Sequence, residues 1–180
     1  EIKRSIVGGM PERTSHYHSF TGSGIPKHDT LTVQMLTSLD FDWLDLQKHY
    51  SSNESIPLQL SVTNAHAGHR VPTGDPERFI LINMTVFNSS DEVVEKKTYR
   101  IGESWKWYPK AEKLGDNNLN PGENRKYDLP VKKLASGSYR VVLDVTKHRM
   151  TKETAAHNGL DDSYPRYIQM HHDEISFVVN

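Results

Sequence analysis

The feature that most constrains this 180-residue chain is a strict apolar–polar alternation that recurs in short runs. Leu58, Leu60 and Val62 alternate with polar residues, as do Tyr139, Val141, Leu143 and Val145, and later Ile175, Phe177 and Val179. A period of two puts one face of an extended segment against a core and the other toward water, so each run predicts a half-buried strand. Phe79 to Phe87 is apolar on both parities, with Ile80, Ile82, Met84 and Val86 sharing one of them, and reads as a central strand. Asn88-Ser89-Ser90-Asp91 supplies turn chemistry into a partner strand over Glu92 to Trp107. Asn120-Pro121-Gly122 precedes the alternating Arg125, Tyr127, Leu129 stretch, and Ser136-Gly137 opens the next strand. Strands and turns without intervening long helices predict a mostly β fold: an immunoglobulin-like antiparallel β-sandwich of about seven strands.

One short helix is expected, capped by Thr151, running through Lys152 to Ala155 and stopped by Gly159. Leu39 to His49 is ambiguous: Leu39, Phe41 and Trp43 alternate like a strand, whereas Trp43, Leu44 and Gln47 fit one helical face. Residues 1–29, glycine-containing and aperiodic, are expected to form an irregular arm on a sandwich domain of residues 30–180.

Composition narrows the function classes. A 35% hydrophobic chain can build one core without disulfides or a metal. Its 22 basic and 23 acidic residues leave a net charge of -1, which gives no global field toward nucleic acid or an anionic membrane surface. No run approaches the roughly 18 to 20 apolar residues of a spanning helix, and Glu1 to Gly9 lacks a secretion-signal core, so the chain reads as soluble and already processed. With no cysteine there is no disulfide, no thiolate metal site and no thioether attachment of haem. No nucleophile elbow, phosphate-cradling loop, zinc-protease helix or dinucleotide fingerprint occurs, and a non-catalytic protein is expected.

Histidine is the outlier, with ten residues partly grouped as His16/His18, His66/His69 and His171/His172. His16 and His18 on an extended segment project from one face, a spacing suited to copper or zinc if His66, His69 or the His171-His172-Asp173-Glu174 group completes the site. The plainer alternative is a set of exposed imidazoles. Asp75 with Glu77, and Asp161 with Asp162, are sparse for calcium and fit turn capping better. Trp105 and Trp107 share a strand face and continue into Tyr108, which is either sheet-edge packing or a partner- or sugar-stacking platform.

The most specific string is Asn64-Ala65-His66-Ala67-Gly68-His69-Arg70-Val71-Pro72-Thr73-Gly74, followed by the long apolar Phe79 strand. It resembles the Gly-His-x-x-Pro-Thr-Gly loop of exported multihaem c-type cytochromes of the cytochrome c554-like kind. Met10-Pro11 with Ser15-His16-Tyr17-His18-Ser19-Phe20 is similar to the segment following that family's haem-attachment motif. Thr146 to Met150, continuing to Gly159-Leu160, is similar to its penultimate strand and short helix. Where the family's haem motif needs two cysteines and a histidine, this chain carries Ser5, Gly8 and Gly9. The resemblance therefore implies a sandwich that has lost its covalent haem. It implies a periplasmic or otherwise exported accessory subunit of a multihaem cytochrome or respiratory oxidoreductase. The alternative is a module in which His69, with His16 or His18, binds a metal ion or a haem carried by a partner chain.

Overall fold

The structure, a computed structural model, describes residues 2–4, 13–15, 24–26, 38–52 and 54–180. The described strands run in chain order as β1 (Ile2–Arg4), β2 (Arg13–Ser15), β3 (Asp40–Leu44), β4 (His49–Tyr50), β5 (Ile56–Thr63), β6 (Phe79–Asn88), β7 (Val93–Lys106), β8 (Glu112–Asp116), β9 (Asn124–Val131), β10 (Gly137–His148) and β11 (Tyr167–Val179). The helix α1 (Lys152–His157) lies between β10 and β11. A six-stranded sheet in the order β4-β11-β10-β6-β7-β8 faces a three-stranded sheet in the order β3-β5-β9.

Alternation places the core. Leu58, Leu60 and Val62 of β5 and Tyr127, Leu129 and Val131 of β9 meet Ile80, Ile82, Met84 and Val86 of β6. Val141, Leu143 and Val145 of β10 and Phe177 and Val179 of β11 complete the same cluster. β6 is central, bonded to β10 on one side and β7 on the other, and its second apolar parity is covered on the outer face, where guanidinium groups of Arg100 and Arg140 lie over Phe79 and Phe87. The segment left open between strand and helix is β3, pairing with β5 so that Phe41 lies opposite Val62 and Trp43 opposite Leu60. Thr151 caps α1 by accepting from the Thr154 amide, and Gly159 follows with φ +69°, as its sequence position implied.

Two features depart from the expected outline. The large sheet gains short additions at both edges: β4 runs parallel to the end of β11, and β8 extends β7. Within the segment expected to be irregular, β1 and β2 pair with one another, Ile2 opposite Ser15.

The outer face of the large sheet carries an aromatic ladder. Phe79, His148 and Tyr167 sit side by side on β6, β10 and β11, with centroids 4.5 Å and 5.2 Å apart, and the Arg100 guanidinium lies 4.6 Å over Phe79. Burial, with repulsion from Arg166 and Arg100, pushes His148 down from 6.5 to about 4. The unfolded chain therefore binds a proton that the fold refuses between those values. The neutral ring's contribution is complete above pH 6.5 and is lost as pH falls through 4. Replacing His148 by Phe is expected to flatten the acid limb of stability in that window by roughly 1 to 2 kcal/mol, an amount discounted for the ring's partial exposure. Urea titrations of both proteins from pH 7 to 4 measure it; identical acid limbs would refute it. His172 shifts the other way, raised mainly by its hydrogen bond to Asp144, and cancels in the comparison because both proteins carry it.

Candidate functional site

The loop between β5 and β6 is held from below by Asn64, fully buried just past β5. Its Nδ2 donates to the carbonyls of His69 (2.9 Å) and Leu119 (3.2 Å), and its own backbone bonds to Glu123 and Gly122. Val71 and Leu119 exchange two backbone hydrogen bonds of 2.9 Å, and Asn118 Nδ2 donates to Pro72 O at 3.0 Å. Val71-Pro72 is cis. Gly74 adopts φ +91°, and a Cβ there would fall 2.3 Å from Arg78 Nη1, which donates to Thr73 O. Only glycine leaves that guanidinium its place.

Asp75 accepts from the Glu77 amide at 2.9 Å, and its carbonyl accepts from Arg78, so it caps the turn before β6. Asp161 does the same for Ser163. Both acidic pairs thus behave as turn residues.

On the flank, Arg70 makes a forked pair with Asp116 at 3.0 and 2.5 Å. Lys113 bridges Asp116 (2.7 Å) and Glu103 (2.9 Å), and Glu103 accepts from Trp105 Nε1 at 2.7 Å. Hydrogen bonds from Arg70 and then Lys113 hold the Asp116 carboxyl far below its usual range. The sequence motif is in this way tied to the β7–β8 ribbon. Sequence reading named Arg70 only within a string and missed Asp116, because a pair 46 positions apart leaves no local signal.

On this support, the exposed His69 ring places Nδ1 3.0 Å from Arg70 O. A carbonyl oxygen only accepts, so Nδ1 carries a proton and Nε2 is the ring nitrogen left to meet a ligand. His66 is turned elsewhere, its Nε2 3.1 Å from Asp40 Oδ1. His171 faces inward and stacks on Phe41 at 4.8 Å, while His172 faces outward onto Asp144 at 2.7 Å, so the two adjacent imidazoles sit on opposite faces. His16 and His18, like Ser5, Gly8 and Gly9, lie outside the described residues. Among the described residues no group of three metal-ligating side chains converges. His69 suits a single donor completing a ligand set that another molecule brings. No described helix is long and apolar enough to cross a membrane.

The fold and loop together define an antiparallel β-sandwich with a braced histidine loop at one end. Its structure is similar to that of a penta-haem cytochrome c552 from Thermochromatium tepidum, with TM-score 0.61 and 20% identity over 78% of this chain and 40% of that one. The chain thus corresponds to well under half of the cytochrome's length, and what is shared is the fold. Spo0M, a sporulation control protein from Bacillus subtilis, matches at TM-score 0.35 and 12% identity over 81% of this chain and 50% of that one. AvmM, which catalyzes macrocyclization in alchivemycin A biosynthesis, matches at TM-score 0.43 and 9% identity over 87% and 95%. No family model matches the sequence, and no curated protein matches it.

Proposed function

We propose that this chain is a non-catalytic, haem-less sandwich subunit that docks outside the cytoplasm onto a multihaem cytochrome or respiratory oxidoreductase. In this reading it offers His69 as one axial donor to a haem the partner carries. The carrying observation is the His69 tautomer: Nδ1 committed to the Arg70 carbonyl and Nε2 left open on a loop braced by Asn64, Asn118 and the Arg70–Asp116 pair. Complete absence of cysteine supports it, since a chain with no thiol cannot tether the haem itself. The structural likeness to a penta-haem cytochrome supports the setting. A haem bound here would bring the redox chemistry, and this chain's residues supply one imidazole nitrogen and the surface around it.

Two measurements separate docking from ligation. Gentle purification from native material is expected to recover a larger haem-containing complex, and a solitary monomer would overturn docking. Ferric haem added to the purified chain is expected to give a Soret shift that His69→Ala abolishes. An unchanged spectrum, or an equal shift in the variant, removes the axial role.

A further inference from the structure

We infer that the tip of the β7–β8 ribbon is a lipid-contacting element that seats the protein peripherally on a bilayer surface. β6 pairs with β7 only as far as Gly102, and beyond it β7 is paired with β8 alone, whose every residue is exposed. This two-stranded ribbon carries three of the six exposed large hydrophobic side chains among the described residues: Trp107 at 46%, Tyr108 at 85% and Leu114 at 63%. Trp105 and Trp107 stack at 5.2 Å and 8°, so the aromatic tip is held as a rigid unit. Trp and Tyr, with an apolar body and a polar edge, partition to the boundary between headgroups and acyl chains.

Charge at the tip agrees. The ribbon's Glu103 and Asp116 are engaged by Lys113 and Arg70, whereas Lys106 and Lys110 have no ion-pair partner among the described residues and the tip's remaining acid is Glu112, opposite Lys106 in the strand register. Lys106 and Lys110 against Glu112 leave the tip with one net positive charge beside the aromatics, which suits phosphate headgroups. The chain's net charge of -1 gives no long-range pull, so the contact rests on the aromatic tip with the lysines assisting.

Size decides between a bilayer and a protein partner. The three side chains together expose roughly 400 Å² on a two-stranded ribbon. A stable protein interface takes about 800 Å² per partner and a complementary face. A bilayer sets no such minimum and accepts a ribbon paired to nothing but itself.

The test uses the full chain with vesicles of phosphatidylcholine and of phosphatidylcholine mixed with phosphatidylglycerol. Wild type is expected to co-sediment with both, more strongly with the mixed vesicles, and to show a blue shift in tryptophan emission. Trp107→Ser combined with Tyr108→Ser, checked for folding by circular dichroism, is expected to lower partition about tenfold on both. Lys106→Gln with Lys110→Gln is expected to weaken binding to the mixed vesicles alone. Failure to sediment with either vesicle overturns the inference. So does equal sedimentation of the aromatic variant, or a vesicle-inert wild type whose aromatic variant loses a protein partner instead.

Discussion

Replacing Gly102 by alanine lowers the unfolding free energy by about 3 kcal/mol in a urea titration. Gly102 stands on β7 directly opposite Phe79 of β6, with φ +147°, where an L side chain is strained. A Cβ built there lies 2.8 Å from Phe79 Cβ and 2.9 Å from Arg78 O, closer than such atoms approach, and neither neighbour is the free end of a flexible side chain. The strands must separate or shift. Separation also disturbs the Gly102 amide's bond to Asn117 Oδ1 at 2.8 Å and Asn117 Nδ2's bond to Arg100 O at 2.7 Å. Backbone strain and overpacking each cost about 1 to 3 kcal/mol, and because one small shift of the strands relieves part of both, the total lies in the lower half of their sum. Gly115→Ala is the control: nothing lies within 4 Å of the added carbon, so its effect stays within about 0.5 kcal/mol. Equal midpoints for the two variants would sink the argument.

The Gly102 contact also marks where sequence reading stopped. Period-two runs identified β5, β9, β10 and β11, and the doubly apolar β6, because in each the core-facing residues outnumber exceptions. Asn88 to Asp91 was legible as a turn because Asn88 Oδ1 accepts from the Ser90 and Glu92 amides, the local bonding that makes asparagine a turn residue. β8 had no such signature: Glu112 to Asp116 is exposed on both parities and owes its strand to cross-strand bonds with β7. The same gap left Trp105 and Trp107 between sheet-edge packing and a platform; they stand on an edge ribbon.

At the candidate site, chain order revealed the loop but not what each histidine does. His66 and His69 are three apart, yet one turns to Asp40, 26 positions earlier, and the other to the carbonyl of its neighbour. The opposite facing of His171 and His172 was predictable from alternation alone. Their partners, Phe41 and Asp144, depend on how β3 and β10 are placed around β11. For His66, His171 and His172 long-range partners set ring orientation, and no local pattern encodes them.

Asn64→Asp lowers stability by about 4 kcal/mol at neutral pH and removes any His69-dependent ligand response. Both atoms facing Asn64 Nδ2 are carbonyl oxygens, which fixes the amide's orientation because only its NH₂ can donate to them. Aspartate keeps the shape and presents an acceptor to two acceptors at a fully buried position. The fold therefore resists ionising it and raises its pKa above the ordinary 3.9 or so. With the folded value above the unfolded one, the variant is least penalised below about pH 4 and loses stability as pH rises through the folded value. Asn64→Ala, which deletes both bonds but adds no charge, costs about 2 kcal/mol without that pH dependence. In either variant the His69 carbonyl is released, and the loop no longer holds Nε2 in one direction. Denaturant titrations at pH 4 and pH 7, with the ferric-haem spectrum as second readout, test both halves. Equal, pH-independent losses in the two variants would show that the amide does not brace the loop as its geometry indicates.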